Sequence, residues 1–517
     1  MLAILAALAL FAPSAKADDL VIGLSSEATS MDPHFHALAS NSQINWHIYD
    51  TLTRRGPAHE LAPGLAITWG PTDDPTVWEF ALREGVTFHD GTPFTADDVV
   101  FTLERAGDVP NSPAGYGMIT RDIARIEVID DHTLRIHTHH PVPLLATNLA
   151  NIAIVSRAHG EGATTADYNS GVAAVGTGPY RQVQFTPGDR IVLEAYPDYW
   201  GGPPEWSQVT FVPITSSASR IAALLAGTVD VINDVPTMDI ERLSHGSDVE
   251  LWQGVSDRLI YLHLDSGRAV TPMITANDGS EIENPLRDQR VREALSIAID
   301  REAIAEHVME GLAIPAGQLI PDGMLGASDA IRVPRYDPER AIELLAEAGY
   351  PDGFAIKLHG PGDRYINDGE VLQAIAQMFS RIGLKTTVDV MPASVYFGRA
   401  TAGEFSVMLV GWSAYTGEAS LPIRTLIATP DAERGWGAAN RGQYSNPDID
   451  DLLAQAEREL DEIERATLLE QAMEIAMADV AVIPVQFQVN TWGTRPGLSY
   501  IPRADELTLA TGVVVAD

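Results

Sequence analysis

Residues 76–101, TVWEFALREGVTFHDGTPFTADDVVF, carry the pattern that decides the fold. The run 76–83 alternates apolar and polar side chains and predicts a strand. After a turn, residues 86–88 are predicted to form a second strand. Thr95 is predicted to cap a helix, because Asp98 three residues later completes a carboxylate version of the capping box. A strand pair followed by a helix is therefore expected here.

The same two kinds of element recur along the chain. A capping side chain followed by proline predicts helix starts at Asp337-Pro338 and Asn446-Pro447. Apolar side chains spaced three or four residues apart predict another helix around Val291. Irregular alternation of helices with short strands predicts a mixed α/β protein. The predicted strands are 20–24, 209–213, 259–264, 354–359, 386–390 and 480–489.

Composition excludes several functions. The 517 residues are too many for one compact core, so about two to four domains are expected. The net charge of −37 repels phosphate backbones and anionic lipid, so no nucleic-acid partner is predicted. The absence of cysteine from the sequence excludes disulfides, zinc–thiolate sites, iron–sulfur clusters and a cysteine nucleophile.

The sequence contains no recognised catalytic motif. It lacks a GxxxxGK[ST] phosphate loop, a GxSxG elbow, an HExxH pair and a GxGxxG turn opening a helix. The close histidines His137, His139 and His140 raise the possibility of a metal site, but a solvated strand end is favoured because no acid follows at metal spacing. We predict no enzyme activity, cofactor or metal. A secreted hydrolase is the alternative from another class, and turnover of a chromogenic substrate would support it.

The N-terminus resembles a signal peptide. An apolar run over residues 2–12 is too short to span a bilayer, and Ala15-Lys16-Ala17 supplies the small residues of a cleavage site. No basic residue precedes the run, and a cytoplasmic protein with an apolar first helix is the alternative. Residues 1–17 are predicted to be removed, leaving a periplasmic protein.

Several segments, in the same order, resemble the extracytoplasmic solute-binding proteins of family 5. These are the peptide- and nickel-type receptors of ATP-binding cassette importers. The resemblance covers nearly the whole mature chain. Besides 76–101, the matching segments are 30–34 (SMDPH), 176–180 (GTGPY), 197–202 (PDYWGG), 287–295 (RDQRVREAL), 411–412 (GW) and 444–447 (YSNP).

This resemblance implies the α/β clamshell fold of periplasmic binding proteins, with two lobes that close around a ligand by a hinge motion. Lobe one is then discontinuous and carries an inserted smaller domain. The implied crossings between lobes lie near 263–265 and 484–490. The implied organisation is lobe one over 18–55, 176–264 and 490–517, the inserted domain over 56–175, and lobe two over 265–489.

The resemblance also implies the position of the ligand. Peptide receptors of the family bind the ligand backbone as an added strand. One extended segment is expected before the SMDPH match and an opposing one at the GW match. Trp412 would offer a large apolar surface, and a buried core indole is the alternative. The predicted ligand contacts are Glu27, Ala28 and Thr29 on lobe one and Trp412, Ser413 and Ala414 on lobe two.

Charged groups are expected at the ends of the ligand. Arg364 resembles a family arginine that pairs with the ligand carboxylate, and a surface arginine paired with Asp363 is the alternative. Many peptide receptors of the family carry an aspartate where this chain has Tyr415, and a neutral phenol cannot balance an ammonium group. Glu418 is predicted as a substitute acid, and Asn440 as a further contact.

The predicted function is a periplasmic receptor that delivers a peptide-like ligand to the membrane permease of an ATP-binding cassette importer. A monomer is expected. Because of Tyr415, the alternative keeps the fold and changes the ligand to an opine, an oligosaccharide, a nickel chelate or haem.

Overall fold

The computed structural model describes residues 19–516, and the predicted signal peptide lies outside them. The strands are β1 Leu20–Leu24, β2 Thr53–Arg55, β3 Leu61–Pro63, β4 Ala66–Pro71, β5 Val77–Leu82, β6 Ile123–Asp130, β7 Thr133–Thr138, β8 Tyr180–Thr186, β9 Arg190–Ala195, β10 Gln208–Pro213, β11 Val231–Asn233, β12 Glu250–Leu264, β13 Ile274–Thr275, β14 Ala313–Pro315, β15 Ala355–Pro361, β16 Lys385–Met391, β17 Val407–Ser413, β18 Val482–Thr494, β19 Leu498–Tyr500 and β20 Val513–Val515.

The helices are α1 Ala39–Ile48, α2 Ala96–Ala106, α3 Gly117–Thr120, α4 Leu145–Leu149, α5 Arg157–Gly160, α6 Thr165–Asn169, α7 Ser217–Leu225, α8 Thr237–Ser244, α9 Gln289–Ile297, α10 Arg301–Ala303, α11 Pro338–Glu347, α12 Asp368–Arg381, α13 Ala393–Thr401, α14 Ser420–Pro422, α15 Pro447–Ala456 and α16 Glu462–Ala478. Short 3-10 turns cover Pro285–Arg287 and Ala510–Gly512, and π turns continue α10 and α14 over Ile304–Val308 and Ile423–Ile427. Among residues 19–516, no helix is long and apolar enough to cross a membrane.

One large mixed sheet runs through the molecule. Its strand order is β13-β15-β17-β12-β18-β11-β1-β10-β9-β8, with β16 beside β15 and β14 beside β18. Two segments are parallel: β1 pairs with β10 and β11, and β15 pairs with β16 and β17. Strands β12 and β18 join these two halves, which supports the predicted mixed α/β clamshell.

The half of the sheet that contains β15, β16 and β17 is covered on both faces, as parallel strands require. Side chains of β12 alternate between two apolar cores: Ile260 and Leu262 enter one, and Leu259 and Tyr261 enter the other. The first half has its own core, centred on β1, β10 and the indole of Trp492.

A separate four-stranded antiparallel sheet, β4-β5-β7-β6, packs with α2 around a further core. Its strands and α2 fall within the stretch 56–175, the predicted inserted domain. Strand β5 and the capping box at Thr95 and Asp98 confirm the predicted elements. Residues 86–88 do not form a strand: Thr87 pairs only with Pro93, because a tight turn at Gly91 leaves no room for a ladder.

The long strands β12 and β18 pass between the two halves of the sheet. Residues 250–255 of β12 pair with 489–494 of β18, and after an irregularity residues 259–263 pair with 482–487. We therefore propose that the lobe boundary in β12 lies at the irregularity rather than at residue 264, where the strand ends.

The backbone at Gly176 packs directly against the end of α1. A Cβ added there would lie 2.0 Å from the carbonyl oxygen of Ile48, which is backbone and cannot move aside. We expect Gly176→Ala to lower the free energy of unfolding by about 1–3 kcal/mol. In contrast, Gly398→Ala lies within α13 with no atom near the added Cβ, and should stabilise by about 0.5–1 kcal/mol. Urea unfolding of both variants checks this, and equal midpoints would contradict it.

Candidate functional site

The carboxyl ends of the parallel strands define the site. In each half, loops at this edge hold the polar side chains, as in other open α/β sheets. Ser25 follows β1 and Asp234 follows β11. On the other half, Arg364 follows β15 and Ser413 ends β17. The two edges face each other across a cleft.

A direct contact shows that the edges meet. The side-chain amide of Asn367 donates to the Thr237 hydroxyl at 2.9 Å. Thr237 begins α8, three residues after Asp234, and Asn367 lies three residues after Arg364. The loops that carry Asp234 and Arg364 are therefore opposite one another.

A half-buried ion pair lies where β12 crosses between the lobes. Arg258 donates to both oxygens of Glu506, at 2.8 and 2.7 Å, and the Ser256 hydroxyl donates to the same carboxylate at 2.8 Å. Burial raises the pKa of Glu506, but Arg258 outweighs burial, so the net pKa is lowered. Both Arg364 and Asp234 interact electrostatically with Glu506. The cleft thus holds two arginines and two acids.

Arg364 is exposed and has the geometry of an anion-binding group. Its loop is fixed because the Asp368 carboxylate accepts the backbone N–H groups of Arg364 and Tyr365, at 3.1 and 3.0 Å. Its guanidinium lies 5.2 Å from the Tyr365 ring. Asp363 does not form an ion pair with Arg364. Its carboxylate instead accepts the backbone N–H of Ala393 at 2.7 Å.

The segment after Gly411 has mixed surroundings. Trp412 is half-buried against the second apolar core of lobe two, and its buried indole nitrogen has no hydrogen-bond partner. Ser413 is half-buried opposite Arg258, whereas Ala414 is fully buried. Trp412 and Ser413 are the members of this segment that remain accessible to a ligand.

Tyr415 contacts Arg55, the last residue of the first predicted segment of lobe one. Its backbone carbonyl accepts a hydrogen bond from the Arg55 guanidinium, and its ring lies 5.5 Å from the same group. The side chain is 41% exposed. Tyr415 is therefore at the rim of the cleft, where it links the two sides.

Glu418 is buried away from the cleft. Its carboxylate is 3.1 Å from the Arg465 guanidinium and accepts a bond from Ser420. Burial raises the pKa of Glu418, and Arg465 opposes this shift. Since Arg465 already neutralises this acid, the arrangement argues against Glu418 as the partner of a ligand ammonium.

The remaining predicted ligand contacts are Glu27, Ala28, Thr29 and Asn440. Glu27 and Ala28 line a small pocket beside the β8–β9 hairpin, and the backbone N–H of Thr29 donates to the Asn41 side chain at 2.8 Å. Asn440 is buried with its amide used inside the protein: it donates to the Tyr444 carbonyl at 2.8 Å and accepts the Tyr444 N–H at 3.1 Å. That bonding leaves Asn440 a structural role.

Sequence reasoning missed Asp234, Arg258 and Glu506. One signal was available for Asp234, which directly follows a strand, where ligand-binding loops begin. Arg258 and Glu506 are 248 residues apart, and no local pattern joins them.

Comparison with known proteins agrees with this geometry. The family model described as bacterial extracellular solute-binding proteins, family 5 Middle, matches residues 60–432. The glutathione-binding protein GsiB of Escherichia coli K12 is 30% identical over 482 residues, covering 91% of this chain and 89% of GsiB.

Two solved structures are similar. The periplasmic binding protein DppA of Helicobacter pylori, in complex with the peptide STSA, has a TM-score of 0.75 at 25% identity, covering 96% of this chain and 98% of DppA. AgaA of A. tumefaciens R10, in complex with agropinic acid, has a TM-score of 0.74 at 25% identity, covering 96% and 99%.

Two halves of a sheet joined by two strands, with polar loops facing across a cleft, define a clamshell binding protein. More specifically, the chain belongs to the bacterial extracellular solute-binding proteins of family 5.

Proposed function

We propose that this protein is a periplasmic receptor that binds a small peptide-like solute and delivers it to the permease of an ATP-binding cassette importer. The observation that carries the proposal is the pair of facing strand edges with the exposed guanidinium of Arg364 between them. The similarity to a glutathione-binding protein and to a peptide-bound structure supports a ligand of this class.

Binding would close the lobes. A ligand that touches both strand edges binds the closed state more tightly and shifts the population toward it. The two lobes are linked through β12 and β18, and an irregularity in β12 at residues 256–258 offers a place for bending. A receptor of this kind needs no catalytic group. The predicted export by residues 1–17 and a monomeric state are part of this proposal.

An opine is the second candidate ligand. Tyr415 supplies no negative charge, and AgaA, which is bound to agropinic acid, is as similar to this chain as DppA is. Both classes carry a carboxylate, so both predict a role for Arg364.

We expect Arg364→Ala to weaken binding of glutathione by about tenfold to hundredfold, because a charge-assisted bond contributes about 1.5–3 kcal/mol. Titration calorimetry of glutathione, trialanine and agropinic acid against wild type and variant measures the effect. Arg381→Ala, at the exposed end of α12, is the control with the same charge change.

Small-angle scattering of the same samples tests closure. Saturating ligand should reduce the radius of gyration of the wild-type protein. If none of the three ligands binds, or if a bound ligand leaves the radius unchanged, the proposed receptor function for peptide-like solutes is wrong.

A further inference from the structure

We propose that Asp234 binds a cationic group of the ligand, so that the solute is a zwitterion held between Asp234 on lobe one and Arg364 on lobe two. The inference deepens the proposed function and rests on it. Neither residue type alone selects such a ligand; the selection comes from opposite charges on facing edges of the cleft.

The carboxylate of Asp234 is oriented by its neighbours but not neutralised by direct contact. Its Oδ2 atom accepts hydrogen bonds from the Ser25 hydroxyl and from the Asn233 side-chain amide, the latter at 3.2 Å. Both donors are neutral, and both bonds end on Oδ2. Among the described residues no lysine or arginine forms an ion pair with Asp234, so Oδ1 is available to a ligand.

Solvent reaches the side chain of Asp234, as it must if a ligand is to enter. The protein around the carboxyl nevertheless desolvates it and raises its pKa. The hydrogen bond from Ser25 and the more distant charges of Arg220 and Arg258 oppose this rise, and the negative charge of Glu506 adds to it. A carboxylate in this position gains more from a cationic partner than one in open water, because the surroundings screen the attraction less.

Three other acids, Glu506, Asp257 and Glu418, are either paired or fully buried. Glu506 is bonded at both oxygens by Arg258, and Asp257 lies 2.9 Å from the ring of His59. Glu418 is paired with Arg465. Asp234 is therefore the acid among these that can replace the charge missing at Tyr415.

Buried polar groups beside the cleft also lack partners. Gln486 is 1% exposed, and neither atom of its amide has a hydrogen-bond partner. It lies two residues from Gln488, on the same face of β18. Gln488 reaches Glu506 at 3.5 Å and the Ile366 N–H at 3.4 Å, at the cleft. An unpaired amide is costly unless something bonds to it, and a polar ligand between the lobes would supply that partner.

The backbone conformation at Asp234 allows a substitution that removes only the charge. Its φ of +49° is in the left-handed region, which asparagine and aspartate tolerate better than most residues. Asp234→Asn therefore removes the charge while it keeps the shape, the backbone conformation and an oxygen for Ser25. An alanine variant would add backbone strain and is not used.

The probes are glutathione and trialanine, each compared with its N-acetylated form, which has no ammonium group. We expect the wild-type protein to bind the free-amine form about tenfold to hundredfold more tightly. Asp234→Asn should lower this ratio to below about threefold, with the loss confined to the free-amine form. Calorimetry measures the four affinities, and a thermal melt confirms that the variant is folded.

Asp248→Asn, an exposed position on the same lobe with the same charge change, should keep the wild-type ratio. If wild type binds the probes and Asp234→Asn retains the preference for the free amine, the inference is wrong while the proposed function stands. If wild type binds neither probe pair, the peptide-like ligand class is wrong and the inference fails with it.

Discussion

Acidification from pH 6.5 to pH 4 is expected to lower the free energy of unfolding by several kcal/mol. Burial depresses the pKa of five histidines, to about 3 for His263 and to about 4 for the other four. The five are His34, His47, His89, His263 and His359. Such a group resists protonation in the folded state but accepts a proton near pH 6.5 once unfolded.

The direction of the pH effect follows from these pKa values. Above pH 6.5 the histidines are neutral in both states, and their contribution to stability is fully present. As the pH falls toward 4, the unfolded chain binds protons that the folded chain does not, and stability is lost. Each histidine can account for up to about 3 kcal/mol of this loss.

Burial keeps these rings neutral, and at His47 and His263 an accepted hydrogen bond also favours the neutral form. Nε2 of His47 accepts the N–H of Ala510 at 2.8 Å, and Nε2 of His263 accepts the N–H of Gly442 at 3.2 Å. A protonated ring has two donors and could accept neither bond. His359 has no partner for either ring nitrogen and stacks on Phe405 at 4.1 Å.

His359→Phe isolates one histidine from the buried carboxyl groups, which also titrate at low pH. The variant keeps an aromatic ring on Phe405 and removes the titrating group, so its stability should fall less steeply between pH 6.5 and 4. Urea unfolding at a series of pH values measures the slope, and the exposed His307→Gln serves as the control. Parallel curves for wild type and His359→Phe would show that His359 is not held neutral.

Arg465→Met is expected to destabilise the protein by about 3–5 kcal/mol. Glu418 and Arg465 are both nearly inaccessible to solvent, and their side chains are 3.1 Å apart. Methionine would leave a buried carboxyl with no positive partner. The cost arises from that uncompensated charge, not from the loss of a surface contact. Chemical unfolding at pH 7 gives the difference in free energy.

The double variant Glu418→Gln with Arg465→Met provides the control, because it removes both charges together. Much of the lost stability should return, since replacing a whole buried pair costs less than breaking it. If the free energy of unfolding of Arg465→Met lies within about 1 kcal/mol of the wild-type value, water reaches this pair. The pair would then be available to a ligand after all.

Local sequence patterns predicted the local structure well. Thr95 with Asp98, Asp337 before Pro338 and Asn446 before Pro447 begin helices as expected, because capping involves residues only a few positions apart. The family, the α/β class and the clamshell followed from several such segments in one order. Leu460 shows the limit: it continues the three- and four-residue apolar spacing of α15, but the helix ends at Ala456. Leu460 packs instead on the core of the four-stranded sheet.

The binding site depended on distant parts of the chain. The sequence by itself determined that Arg364 is in a loop after a strand, and that position 415 carries no acid. The tertiary structure decided which acids have a basic partner. Glu418 is paired with Arg465 and Glu506 with Arg258, whereas Asp234 forms an ion pair with neither arginine. Ion pairing depends on distance in space, and the partners here are 47 and 248 residues apart, so only the folded chain determines them.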